Sequence, residues 1–301
     1  MNPIRPSDSS HREPKTTIWV ISDLQTSKPD EVDRCLGAAI DDVTASATEF
    51  DQIWYLGDAI AGTDLEMNER VADRQVALLD GLAAPLRYVM GNHDLDLAKE
   101  TGEVISPFYD AVGGHPNWRT TVDPEAFYFT EELGGWTVLF LSDHVDRTGR
   151  WSVTHGKIHG DADRYPHTVD DYRQAIERVS DSDRPVILAG HNAFPGGNRP
   201  AEIQRRMFPL PETVQLHLYG HAHIGDEEYV APNTYRTISY VDHHRIPQID
   251  VASLEDRRGD TIRSAILELF PDGEYSVYLR DHRRNAWLES YHSHATAPNS
   301  P

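Results

Sequence analysis

Five short apolar runs in this chain each lead into a polar side chain that can bind a metal ion. The runs are Thr17–Ile21, Ile53–Leu56, Leu86–Met90, Val186–Ala189 and Val214–Tyr219. The polar residues that follow them are Asp23, Asp58, Asn92, His191, and the pair His221 and His223. Ligand sites of open α/β sheets lie at the carboxyl ends of parallel strands. We therefore expect these side chains, far apart along the chain, to converge on one edge of a sheet.

Amphipathic stretches separate these apolar runs. Apolar residues at helical spacing predict helices across residues 30–43 and 71–82, and a third after Thr168. Alternation of strands and helices is typical of a parallel or mixed sheet covered by helices. Further strands are predicted near residues 126–130, 136–141, 236–240, 247–252, 262–270 and 275–279. The later strands indicate a second sheet.

The length of 301 residues fits one large α/β domain, and no linker divides the chain. We expect this domain to span residues 16–288, between a flexible N-terminal segment at 1–15 and a flexible tail at 289–301. Two stretches, near 95–123 and 144–167, show no clear period and are predicted to be irregular, cap-like insertions. Unpatterned stretches of this length in a compact domain are usually functional or mobile.

The charge of the chain excludes some classes of partner. Lys and Arg total 28 against 49 Asp and Glu, which gives a formal net charge of −21. An extended nucleic-acid surface or an anionic membrane would need a positive footprint, so neither is expected. The single cysteine, Cys35, excludes an intramolecular disulfide and a multi-cysteine zinc site. Since no apolar run is long enough to cross a bilayer and residues 1–15 lack a signal-peptide core, a cytoplasmic location is expected.

The positive charges are strongly biased toward arginine. The chain has four lysines, Lys15, Lys28, Lys99 and Lys157. An acidic, lysine-poor surface suits a protein that must stay hydrated in concentrated salt, where screening removes most of its self-repulsion. The sequence therefore favours a halophilic source, with an ordinary acidic protein from a GC-rich genome as the alternative.

The order of the polar motifs carries more information than any one of them. The motifs are Asp23-Leu24-Gln25, Gly57-Asp58, Gly91-Asn92-His93-Asp94, Gly190-His191 and Gly220-His221-Ala222-His223. In this order the chain resembles the calcineurin-like metallophosphoesterase superfamily from about Thr17 to its last strands. The resemblance implies an α/β fold, a four-layer α/β/β/α sandwich of two mixed sheets flanked by helices. It also implies a phosphoesterase in which a metal-bridging hydroxide attacks the ester.

The resemblance further implies two divalent metal ions and assigns their ligands. The first ion would take Asp23, Gln25, Asp58 and His223, and the second Asp58, Asn92, His191 and His221. Ligands of this mixed type, without thiolate, suit Mn²⁺, with Fe, Zn²⁺ and Mg²⁺ as alternatives. His93 would face the substrate, where it stabilises the phosphoryl charge or protonates the leaving oxygen. Asp94 would orient His93.

Gln25 departs from the family pattern, which has Asp-x-His at the first motif. Its side-chain oxygen is a neutral, harder donor than imidazole. Three interpretations stay open: Gln25 binds the first ion and favours Mn²⁺ or Mg²⁺, or water takes its place, or the first site is empty. The last of these would make the chain a non-catalytic binding scaffold. Because every other ligand and His93 are present, retained catalysis is the favoured hypothesis.

The expected substrate is a small phosphodiester or phosphomonoester, with nucleotides among the candidates. A phosphoprotein phosphatase would need a recognition groove that the sequence does not predict. His144 and Asn192 are candidate substrate contacts, although Asn192 is equally suited to a turn. Asp64 and Asp96 are expected to be solvated rather than catalytic. Nothing in the sequence predicts an oligomeric state.

Overall fold

A computed structural model describes residues 16–46, 49–101, 106–121, 127–142, 169–192, 209–223, 238–240 and 246–293. Its strands are β1 Thr16–Ile21, β2 Gln52–Tyr55, β3 Leu86–Tyr88, β4 Tyr128–Leu133, β5 Trp136–Leu141, β6 Val186–Gly190, β7 Val214–Tyr219, β8 Ile238–Tyr240, β9 Pro247–Asp250, β10 Arg263–Leu269, β11 Tyr275–Asp281 and β12 Ala286–His292. Its helices are α1 Pro29–Val32, α2 Ala38–Ala45, α3 Leu65–Asp80, α4 Asp96–Thr101, α5 Pro107–Gly114 and α6 Val169–Val179.

The strands form two six-stranded mixed sheets. The first has the order β12-β11-β10-β1-β2-β3 and the second has the order β4-β5-β6-β7-β9-β8. Strands β1, β2 and β3 are parallel to one another. Strands β5, β6, β7 and β9 form the parallel part of the second sheet. Each sheet therefore gathers the carboxyl ends of several strands at one edge, where the predicted ligands follow.

Side-chain alternation along β1 shows how the layers pack. Ile18 and Val20 point into a core shared by the two sheets, whereas Trp19 and Ile21 pack in the core on the helical side of the first sheet. On the outer face of the second sheet, Ile176 of α6 lies in a third apolar cluster. Because successive strand residues face opposite sides, a strand buried on both faces must be apolar throughout. The order helix, sheet, sheet, helix confirms the predicted four-layer sandwich.

The first predicted helix is interrupted and begins earlier than expected. Lys28 precedes it and Pro29 occupies its first turn, where the missing N–H of proline costs nothing. A π-helical turn at Asp33–Gly37 joins α1 to α2. Helix α3 begins after Asp64, whose carboxylate accepts the Met67 N–H at 2.8 Å. Asp64 therefore caps a helix rather than standing only in solvent.

Two expectations about chain organisation are wrong within the described residues. The stretch near 95–123 contains helices α4 and α5, which were too short to show a period. Strand β12 continues to His292, so the tail does not begin at residue 289. Tyr291 holds this end of β12 by stacking on Tyr275 at a ring distance of 5.9 Å. The segments 1–15 and 144–167 lie outside the described residues.

None of the described helices is both long enough and apolar enough to cross a membrane.

Candidate metal centre

The predicted ligands meet where the carboxyl edges of the two sheets face each other. His191 Nε2 lies 3.1 Å from Asp58 Oδ2, and His223 Nε2 lies 3.0 Å from Asp23 Oδ1. The ligand atoms of Asp58, His191 and His221 lie within 4.8 Å of one another, and so do those of Asp23, Asp58 and His223. Asp58 belongs to both groups, which is the position expected of a bridging carboxylate.

Three oxygen atoms at this site are buried without a hydrogen bond among the described residues. They are Asp23 Oδ1, Gln25 Oε1 and Asp58 Oδ2. Leaving a buried acceptor unsatisfied is costly, so native proteins pair nearly all of them. A divalent cation would satisfy all three oxygens, and the mixture of carboxylate, amide and imidazole donors suits such an ion. The residues present therefore fit a binuclear metal centre.

Gln25 and Asn92 supply the amide side chains of the centre. Gln25 is 5% exposed, and its backbone N–H donates to the backbone carbonyl of Asp58 at 2.8 Å. The Asn92 Oδ1 atom lies 3.2 Å from His191 Nε2. Both amides are therefore buried beside the predicted ligands. That Gln25 binds an ion remains a prediction.

The two buried imidazoles are oriented from behind by acceptors. His191 Nδ1 lies 2.8 Å from the Leu56 carbonyl oxygen, and His223 Nδ1 lies 2.9 Å from Glu255 Oε1. Because a carbonyl or an ionised carboxylate only accepts, each Nδ1 carries the proton and Nε2 is left for a metal. Sequence reasoning missed Glu255, although it is an acidic residue a few positions beyond a predicted strand.

Backbone strain is concentrated at the same residues. Positive φ angles occur at Asp23 (55°), Gln25 (42°), Asp58 (53°), His221 (71°) and His223 (49°). Non-glycine residues rarely adopt this left-handed conformation, which costs on the order of 1–3 kcal/mol per residue and clusters at functional sites. A hydrogen bond from the Asp23 N–H to the Gly57 carbonyl at 3.0 Å helps to hold the first of these turns.

Two glycines let the ligand loops approach each other. A Cβ atom at Gly91 would lie 2.3 Å from Asp58 Oδ1, and one at Gly220 would lie 2.3 Å from Asp23 Oδ2. Neither carboxylate can withdraw without leaving the centre. Glycine at these positions is therefore required by space rather than by flexibility.

Asp94 holds the Asp58 loop rather than His93. Its buried carboxylate accepts the N–H groups of Asp58, Ala59, Ile60 and Gly91 at 2.8–3.1 Å. Burial and the nearby charge of Asp58 raise the pKa of Asp94 to about 7. The expectation that Asp94 orients His93 is wrong, because its oxygens are occupied by the backbone of the bridging ligand.

His93 lies at the rim of the centre and is paired with a different acid. Its backbone N–H donates to Asp58 Oδ1 at 2.7 Å, while its side chain is 33% exposed. The imidazole Nδ1 lies 2.9 Å from Asp96 Oδ2. The sequence predicted that Asp96 is solvated, whereas in the structure its carboxylate contacts His93. It was missed because the surrounding stretch lacks a recognisable period.

The electrostatics of the centre favour the charged form of the candidate ligand carboxylates Asp23 and Asp58. Burial opposes ionisation of Asp58, but the nearby imidazoles of His191 and His93 outweigh it electrostatically and hold the pKa of Asp58 below its usual range. Burial likewise opposes protonation of His223, yet Asp23 and Glu255 raise its pKa to about 9. A metal that replaces the proton on His223 would therefore release it, so metal binding is coupled to pH.

Of the two candidate substrate contacts, the structure describes Asn192 and not His144. Asn192 is 7% exposed and directly follows His191; its contact with a substrate remains a prediction. His144 lies outside the described residues.

Comparison with known proteins identifies the family of the chain and proteins of similar fold. A family model for calcineurin-like phosphoesterases matches residues 16–225. A dimetal phosphatase from Danio rerio has a similar fold, with a TM-score of 0.62 and 12% identity over 93% of this chain and 99% of the other. A purple acid phosphatase from yellow lupin seeds gives a TM-score of 0.55 and 12% identity over 96% of this chain and 55% of its own. No curated protein matches the sequence.

The chain belongs to the calcineurin-like phosphoesterase family, because the family model matches more than half of it. Membership and the paired ligand groups together support a metal-dependent phosphoesterase.

Proposed function

We propose that this chain hydrolyses a small phosphomonoester or phosphodiester at a binuclear centre, with Mn²⁺ as the preferred ion. The observation that carries the proposal is the set of three buried oxygens without hydrogen bonds at the meeting point of two ligand groups. In the group that would hold the first ion, Asp23, Gln25 and Asp58 offer oxygen atoms and His223 offers a nitrogen atom. Such an oxygen-rich set favours a hard ion such as Mn²⁺ or Mg²⁺ over Zn²⁺.

The bound ions would neutralise phosphate charge and lower the pKa of a water molecule. The protein residues keep the arrangement fixed. Asp94 clamps the loop that presents Asp58, and Glu255 keeps His223 turned with Nε2 toward Asp23. His93, at the exposed rim, would contact the phosphoryl group and give a proton from Nε2 to the departing oxygen.

Small esters are the proposed substrates because the net charge of −21 gives no steering field for a nucleic-acid polymer. Nucleotides are the first natural esters to assay.

The test combines metal counting with turnover. We expect the Mn²⁺-loaded protein to contain two ions per chain by elemental analysis. We also expect it to hydrolyse bis-p-nitrophenyl phosphate or p-nitrophenyl phosphate, the two substrates separating diesterase from monoesterase activity. One ion or none, together with no turnover of either ester, would instead support a non-catalytic binding scaffold.

The role of His93 has its own test. We expect His93→Ala to retain both ions and to lose turnover by about 10²- to 10⁴-fold, the range of general acid–base catalysis. His115→Ala is the matched control, because His115 lies away from the centre and pairs with Asp80 instead. The distance from His115 Nε2 to Asp80 Oδ1 is 3.1 Å. Equal loss of metal and activity in His93→Ala would show that His93 supports the metal site instead.

A further inference from the structure

His93 is held by the carboxylate that follows it by three residues. Asp96 is the first residue of α4, and its Oδ2 lies 2.9 Å from His93 Nδ1. The same oxygen accepts the Gly62 N–H at 3.4 Å, so the carboxylate is also tied to the loop after Asp58. With 16% of its side chain exposed, Asp96 is partly shielded from water. This pairing therefore has a defined geometry and is less screened than a surface ion pair.

Asp94 and Asp96 divide two tasks that one acid was expected to perform. Asp94 accepts four backbone N–H groups around the bridging ligand. Asp96 contacts the imidazole itself. A change at Asp94 should therefore disturb the metal ligands, whereas a change at Asp96 should disturb His93 and leave the ligands in place.

We propose that Asp96 is the positioning residue of His93. A carboxylate at Nδ1 keeps the proton on that nitrogen and fixes the plane of the ring. The imidazole then presents Nε2 to the leaving oxygen of the ester. Asp96 does not contact substrate in this proposal and acts only through His93. The inference rests on the proposed function, because it assigns a partner to the proton donor of that reaction.

Leaving-group dependence separates positioning from a merely structural role. We expect Asp96→Ala to retain both ions and to leave KM unchanged. Its kcat on a phenyl phosphate ester should fall by about 10²-fold. The loss on the matching p-nitrophenyl ester should be much smaller, because nitrophenolate departs without a proton. Asp96→Asn retains an oxygen that accepts from Nδ1, so it should recover part of the activity on the phenyl ester.

Asp110→Ala is the control, since Asp110 is an exposed acid in the first turn of the neighbouring helix α5. It should match the wild type on both esters. Equal losses on both esters in Asp96→Ala, or loss of an ion, would overturn the proposal.

A spectroscopic readout makes the inference independent of turnover. In protein labelled with ¹⁵N-histidine, His93 should show a protonated Nδ1 in the wild type and in Asp96→Asn, and a shift toward the other tautomer in Asp96→Ala. An unchanged spectrum in Asp96→Ala would reject the pairing. If the wild type hydrolyses neither ester, the proposed function fails, and the spectrum alone decides whether Asp96 sets the state of His93.

Discussion

The Nδ1 atom of His223 lies 2.9 Å from Glu255 Oε1, although the two residues are 32 positions apart. Glu255 also accepts from Arg257 Nε at 2.7 Å, and its N–H donates to the Asp23 carbonyl at 3.0 Å. Glu255, in the loop that follows β9, thus connects the imidazole of one candidate ligand, His223, to the backbone of another, Asp23. Partners of this kind fix the tautomer of a ligand and raise its basicity.

We expect Glu255→Gln to weaken metal binding by about 10- to 100-fold, the usual effect of removing such a partner. Isothermal titration of the metal-free protein with Mn²⁺ would measure the change. Glu69→Gln provides a control, because Glu69 is exposed on α3. Unchanged affinity in Glu255→Gln would mean that His223 needs no orienting acid.

Gln25 is expected to set the metal preference of the first ligand group. Gln25→His would give that group two nitrogens and two oxygens, so Zn²⁺ affinity should rise by about tenfold relative to Mn²⁺. Gln25→Ala should retain one ion fewer than the wild type. Competition binding and elemental analysis measure both effects. A Gln25→Ala protein that keeps two Mn²⁺ ions would show that water, not Gln25, completes the site.

Gly91 should not tolerate a side chain. Gly91→Ala would place a Cβ atom 2.3 Å from Asp58 Oδ1, so either the carboxylate moves or the loop shifts. Overpacking of this kind costs about 1–3 kcal/mol, and we expect both a lower free energy of unfolding and weaker metal binding. Gly113→Ala is the matched control, because nothing lies within 4 Å of a Cβ there. Equal behaviour of the two variants would contradict the steric argument.

Asp42 anchors α2 to the first sheet through buried partners. It accepts two hydrogen bonds from Arg280 at 2.7 Å and one from His282 at 2.8 Å. His282 in turn contacts the Ser264 hydroxyl at 2.7 Å, which accepts from the Trp19 indole. The order Ser, His, Asp resembles a hydrolase triad, but Ser264 is fully buried, so the network is structural.

We expect Asp42→Asn to destabilise the protein by about 3 kcal/mol, because it leaves buried Arg280 without its charge partner. Denaturant unfolding measures this, with exposed Asp41→Asn as the control. Burial raises the pKa of Asp42, but hydrogen bonds from His282 and Arg280 outweigh it and lower the pKa to about 2. Its contribution is therefore complete above about pH 4, the unfolded value, and is lost as pH falls toward 2. Asp42→Asn should flatten stability in that window.

Salt should stabilise this chain. With 49 acidic and 28 basic residues, self-repulsion is strong in dilute buffer and is screened as ionic strength rises. We expect the melting temperature and turnover to increase from low salt to molar KCl. An equal rise of the melting temperature in sucrose, which is non-ionic, would instead indicate that the solute stabilises the protein because it is excluded from the protein surface. Indifference to KCl would refute the halophilic interpretation.

The sequence pattern predicted an α/β fold with two sheets, and the family resemblance supplied the four layers and the candidate ligands. The apolar runs that become β1, β2 and β6 are buried on both faces, and β7 is buried except at Gln215, so their composition alone predicts strands. The carboxyl ends of the parallel strands lie at one edge of each sheet, and Asp58, His191 and His223 follow within a few residues of β2, β6 and β7. Helices α4 and α5 and strand β12 escaped prediction because short or half-exposed elements have weak periodicity.

The supporting acids were decided only by the tertiary structure. Nothing in the spacing of Asp94 and Asp96 says which carboxylate reaches His93, because the answer depends on how the chain turns into α4. Glu255 reaches His223 only because β9 lies next to β7 in the second sheet. The candidate ligands follow strand ends that a sequence pattern predicts, whereas their hydrogen-bond partners depend on contacts between distant loops, which the pattern does not encode.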